Sequence, residues 1–183
     1  GIAISASGLS NTVGSNTINL PLTIGTACTI TVNAGTTLTV GGTINNSGFQ
    51  TTINTAGTCN LNGNISGSGA LVKATSAGVL RLAGNNTFTG EMRLDSGGVL
   101  ELASNTALGA GQFNINGGTN TITVNGDYSL SNNIRLNVSS LVAGTGNLTF
   151  SGNMQLTGGD RRLTANNSVL TFSGTISGDN GDN

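Results

Sequence analysis

Histidine and tryptophan are absent from this chain of 183 residues, proline occurs once and cysteine twice. Without histidine there is no Ser-His-Asp or Cys-His nucleophile pair and no imidazole metal ligand. Cys28 and Cys59 cannot complete a zinc set by themselves. Only 7% of the residues are charged, with six basic and seven acidic side chains and a net charge of -1. Phosphate recognition draws on clustered Lys and Arg, so nucleic acid and anionic membrane surfaces are not expected partners. No run of 18 apolar residues exists, which excludes a membrane-spanning helix. No signal peptide is visible at Gly1, so the chain reads as mature, trimmed or excised. Aromatic residues are 3% of the total, and Tyr128 is the only Tyr or Trp, so the ring platforms usual in sugar sites are missing.

What the chain has instead is glycine, asparagine, threonine and serine, which together exceed half of it. Leu, Ile, Val and Phe make about a quarter, above the range of disordered segments. They are also regularly placed. A short apolar step followed by a small residue recurs as Leu38-Thr-Val40-Gly41, Cys59-Asn-Leu61-Asn-Gly63, Leu80-Arg-Leu82-Ala-Gly84 and Leu100-Glu-Leu102-Ala-Ser104. It continues as Ile122-Thr-Val124-Asn-Gly126, Leu148-Thr-Phe150-Ser-Gly152 and Leu170-Thr-Phe172-Ser-Gly174. The second apolar residues are spaced by 21, 21, 20, 22, 26 and 22. A period of this size marks one supersecondary unit stacked on copies of itself.

Apolar and polar residues alternate in Thr29–Val32, Met92–Asp95, Gln112–Asn116, Thr121–Val124, Ile134–Val138 and Met154–Thr157, as in half-buried strands. Arg81, Arg93, Asp95, Glu101 and Arg135 fall on the polar side, and a one-residue slip would bury them all. Gly, Asn and Ser supply the corners. The fold class expected is all-β: a right-handed parallel β-helix of about 21 residues per coil and roughly eight coils, one solenoid over 1–183. Each coil leaves its own apolar face uncovered, and stacking builds one narrow core. Cys59 takes a core position in the step, and Cys28 alternates with Ile30 and Val32. Two buried thiols are expected; a disulfide across adjacent coils is the alternative, and it needs Cα atoms within about 7 Å.

A longer repeat overlies the coils. Gly63-Asn-Ile-Ser-Gly67 returns as Gly174-Thr-Ile-Ser-Gly178, so 174–183 reads as the start of a further unit. Both ends of the rod are expected to be uncapped, with strand edges that recruit another strand. Residues 1–72 carry no charge. Such a surface suits burial against a neighbour, or else is a neutral, well-hydrated face of hydroxyls and amides.

Residues 63–110 carry Gly63-Asn-Ile-Ser-Gly-Ser-Gly-Ala-Leu-Val-Lys73, then Gly84-Asn-Asn-Thr-Phe-Thr-Gly90, Leu94-Asp-Ser-Gly-Gly-Val-Leu-Glu-Leu102 and Asn105-Thr-Ala-Leu-Gly109. This stretch resembles the autotransporter-associated β-strand repeat of bacterial surface proteins. Glu91-Met92 departs from the small or hydroxyl residues usual after the last glycine of the Gly84–Gly90 core. The resemblance implies a secreted or surface-displayed passenger: an adhesin, a stalk, or a scaffold for another domain. The membrane barrel that exports such passengers is not part of this sequence.

Chemistry is sparse in the remaining residues. Glu101 is expected beside Arg81 as an ion pair between coils, and Asp160-Arg161-Arg162 as a solvated corner or a polar contact to a neighbour. Asp179-Asn-Gly-Asp-Asn183 lacks both the EF-hand spacing and the Ca²⁺-binding nonapeptide, and reads as a turn. Thr-x-Thr pairs at Thr29/Thr31, Thr37/Thr39, Thr87/Thr89 and Thr121/Thr123 do not continue as a flat ice-binding ladder, because Thr58/Asn60 and Val79/Arg81 follow Thr37/Thr39. The Asn-x-Ser/Thr triplets at Asn45, Asn64, Asn85, Asn137, Asn147 and Asn166 match the chance level of this composition. No catalytic, cofactor-binding or metal-binding residues are expected, and no cofactor. The expected role is a non-enzymatic, extracellular building element of a bacterial surface fibre, stalk or adhesin. Its partner is a further copy or a continuation of the same chain, with surface glycans second. A carbohydrate-active β-helix enzyme is the distant alternative.

Overall fold

The structure, a computed structural model, describes residues 2–5, 8–75 and 77–178; the Asp179–Asn183 stretch lies outside them. Strands and corners make up these residues, with no helix among them. The strands form sheets of ten, eight, three and three members, and strands pair one coil apart. The solenoid has about eight coils and three faces. The first coil shows the plan: β2 (Gly8–Asn11) lies on the first face, β3 (Ser15–Ile18) on the second and β4 (Leu22–Thr23) on the third.

Pairing is parallel throughout, with one exception. β1 (Ile2–Ser5) lies antiparallel on β2, with Ile2 opposite Asn11. The expectation of two uncapped ends is therefore corrected on one face. β1 occupies the edge of the ten-stranded sheet, while β3 and β4 are the edge strands of their own sheets. A strand edge with free N–H and C=O groups is satisfied by any extended segment, whichever way it runs.

Parallel register in 20- to 23-residue steps turns each inward position into a column. On the first face one column reads Leu9, Ile30, Ile53, Lys73, Leu94, Ile115, Leu136 and Leu156. On the second, Leu38, Cys59, Leu80, Leu100, Ile122 and Val142 stack beside Val40, Leu61, Leu82, Leu102 and Val124. Most of these side chains are fully buried, so every column runs inside the rod.

The third face corrects one reading of the repeat. Leu148-Thr-Phe150 and Leu170-Thr-Phe172 do not continue the second-face step. They pair with Tyr128-Ser-Leu130 on the third face, where the rings of Phe150 and Phe172 stack at 5.7 Å. Val124 is followed one coil on by Gly144. The 26-residue gap in the sequence is thus a jump between faces. The same local pattern serves both because both faces end in a tight corner. A Cβ on Gly63 would stand 1.9 Å from the Gly42 carbonyl oxygen, and one on Gly84 2.3 Å from that of Gly63. At the next corner, Gly90 meets Gly69 at 2.3 Å and Gly111 meets Gly90 at 1.9 Å. Coils approach so closely there that only glycine fits.

Between the two three-stranded sheets, the third face is carried by Gly84–Gly90 and Asn105–Gly109, which are not strands. Backbone bonds between coils persist there, from the Thr87 amide to the Ile65 carbonyl and from the Thr89 amide to that of Gly67, and Asn86 adds to them. The Ile65 amide donates to its Oδ1 at 2.8 Å, and its Nδ2 donates to the Ala107 carbonyl at 2.8 Å. The stretches Gly84–Gly90 and Asn105–Gly109 thus form the strand-free part of this face.

Candidate functional site

The chemistry-bearing side chains are spread along the rod. Arg81 and Glu101 hold the same outward position in adjacent coils, and their Nε–Oε1 distance is 3.1 Å, the ion pair that the repeat phase predicts. Arg81 also donates to the Asn62 carbonyl oxygen of its side chain at 2.7 Å. Arg93 pairs with Asp95 two residues on. From Asp95 a polar file climbs one corner: Asn116 donates to Asp95, Asn137 donates to Asn116, and the Thr157 hydroxyl donates to Asn137. The threonine series breaks as expected, with Thr37/Thr39 opposite Thr58/Asn60 and those opposite Val79/Arg81. Among the described residues, no three metal-ligating side chains come together.

Both cysteines are free. Cys59 is buried, and desolvation pushes its thiol up to about 12. Cys28 is half-buried and its thiol is also raised, by the same cause. Neither has thiolate character at neutral pH, so neither is a nucleophile there.

Lys73 is the residue that the sequence hides. It stands in an apolar column between Ile53 and Leu94 and is 0% exposed. Its ammonium donates to the carbonyls of Thr75 at 2.7 Å and Gly97 at 2.8 Å, with that of Ala77 at 3.5 Å. Burial lowers its pKa to about 8. Among the described residues no carboxylate pairs with it, and the ammonium is held by backbone carbonyls. A lysine after Leu71-Val72 reads as a surface residue; the carbonyl cage comes from the corner and from the next coil, beyond the reach of a local pattern.

The unsatisfied surface lies at the two ends. Among the described residues, the large apolar side chains that stand exposed are Val13 at 61%, Leu20 at 73%, Phe49 at 41%, Val169 at 53% and Ile176 at 52%. Val13 and Leu20 belong to the first coil, Val169 and Ile176 to the last. In the last coil Leu163, Leu170 and Phe172 are only half-buried, although their column neighbours Leu148 and Phe150 are buried. Strands Leu163–Asn166, Val169–Phe172 and Ile176–Ser177 are the outermost members of their sheets. Their free edges and half-covered core combine backbone hydrogen-bonding groups with apolar area. Comparison of the chain with protein-family models, curated proteins and solved structures gives no match.

Proposed function

We propose that this protein is a non-enzymatic structural β-solenoid of a bacterial cell surface, an element of a fibre, stalk or adhesin that continues end to end through a further copy or a continuation of the same chain. The observation that carries this reading is the placement of the exposed large apolar side chains: among the described residues, four of five lie in the outermost coils. Monomeric proteins keep such surface scattered, and its concentration in the outermost coils favours further coils stacked on them, from a further copy or from a continuation of the same chain; a further copy stacked head to tail would propagate into a filament.

The register supplies the fit. Continuing the third-face columns sets Leu170 over Leu22 and Phe172 over Ile24 of the next copy. On the second face Ala165 meets Asn16. β1 leaves these two faces free for parallel pairing. The extracellular, bacterial setting rests on the resemblance of residues 63–110 to the autotransporter-associated repeat.

Electron microscopy and sedimentation of the purified protein test the proposal. Filaments with a subunit repeat of about 40 Å are expected, eight coils at roughly 4.8 Å each. Val169→Asp at one end, or Leu20→Asp at the other, should stop elongation while leaving the fold intact. A monodisperse monomer at high concentration overturns the reading.

A further inference from the structure

We infer that Arg161, in the corner Asp160-Arg161-Arg162, together with Arg135 forms a binding site for an acidic carbohydrate, its carboxylate or sulfate held between the two guanidinium groups. This site is independent of the end-to-end contact.

The corner is an insertion. Three residues separate Leu136 from Ser140, whereas six separate Leu156 from Leu163, the equivalent positions one coil later. The extra residues turn through Gly158 and Gly159, both at positive φ (74° and 94°). Arg161 then folds back over the corner. Its Nε donates to the Thr157 carbonyl at 2.9 Å, its Nη1 to that of Asp160 at 3.1 Å and its Nη2 to that of Gly158. Three of its five N–H groups fix the plane of the guanidinium, and two are left for a ligand. An arginine held in this way loses little side-chain freedom on binding.

Beside it lies an open groove of about 360 Å³ lined by Arg135, Asn137, Thr157, Gly158 and Arg161. The Arg135 side chain is exposed and has no hydrogen-bond or ion-pair partner among the described residues. The wall between the two arginines is firm, because Asn137 and Thr157 close the polar file that rises from Asp95. The surrounding charge is positive: from 128 to 178 there are three arginines (Arg135, Arg161, Arg162) and one carboxylate, Asp160.

The lining also selects the ligand class. None of the five residues presents an apolar side chain, so a peptide or lipid finds no anchor for its hydrophobic parts. A ligand that is polar throughout and carries an anion matches, and paired guanidiniums recognise a planar carboxylate or a sulfate through bidentate bonds. A sugar acid has both properties.

Titration calorimetry at low salt tests this with a galacturonic acid oligomer, a sulfated oligosaccharide, neutral dextran and an oligoglutamate peptide. Saturable binding of the first or the second is expected, and the difference between them identifies carboxylate or sulfate as the anion. Arg135→Gln should weaken that binding at least tenfold with an unchanged melting temperature, because the side chain is exposed and makes no hydrogen bond or ion pair within the described residues. Arg81→Gln, whose charge is already paired, should bind as wild type. The inference fails if neither acidic sugar binds better than dextran, if Arg135→Gln binds like wild type, or if oligoglutamate binds as tightly as the sugars.

Discussion

At the scale of single residues, the glycine corners and Lys73 behave in opposite ways. A methyl group at Gly63 has nowhere to go, since it would press on the backbone oxygen of Gly42 at 1.9 Å and of Gly41 at 2.9 Å. Gly63→Ala is expected to cost about 2–4 kcal/mol in urea unfolding. Gly25 has nothing within 4 Å of its Cβ direction, and Gly25→Ala should be neutral or stabilise by up to about 1 kcal/mol. Lys73 exacts a cost that depends on pH. Its folded pKa of about 8 lies below its unfolded value, so the unfolded chain binds more protons between the two and stability rises with pH across that window. The cost is fully present below the folded pKa and is relieved toward the unfolded one. The raised thiols act in the reverse sense above their unfolded value, so the clean measurement is a difference. Wild type minus Lys73→Met should gain about 1 kcal/mol between pH 7 and pH 9. A flat difference would show that Lys73 does not titrate in this range.

At the scale of the element, a side chain can stand in for a strand. Asn86 ties its coil to the ones before and after, and both of its partners are backbone groups. Asn86→Ala leaves the Ile65 amide and the Ala107 carbonyl buried without partners, and should cost about 2–4 kcal/mol. The neighbouring Asn85 is exposed, and its main-chain amide rather than its side chain makes the bond to Asn64. Asn85→Ala should therefore stay within about 0.5 kcal/mol by the same urea measurement. This element also explains what could be read in advance. Alternation marks the first two faces plainly, because most of their strands bury every second side chain, as in Cys28–Val32, Thr51–Thr55, Val79–Leu82 and Asn120–Val124. The third face gives no such signal where asparagine and a turn replace the strand, so its later strands at 148–150 and 170–172 look like more of the second face. The basic groove is hidden for a related reason: Arg135 and Arg161 are far apart in sequence, and the coil stacking that joins them includes an insertion which no periodicity anticipates.

At the scale of the whole molecule, the rod is polar in both senses. Its strands nearly all run one way, and its charges are segregated. Residues 1–72 carry none, residues 79–127 hold two basic and four acidic side chains, and residues 128–178 hold three basic and one acidic. Head-to-tail growth would repeat that asymmetry along a filament and display one basic groove per subunit at a fixed interval. The parallel register has a mechanical consequence as well. Nearly all hydrogen bonds between coils lie along the rod's own axis, since each strand pairs with its equivalent one coil away. A pull on the two ends therefore stretches those bonds along their length, and it meets one coil at a time at the outermost edge. The rod would peel rather than snap. Each released coil of about 21 residues would pay out roughly 70 Å of chain. An assembly of such units yields by lengthening under load, and the coils still wound remain folded behind the point of rupture.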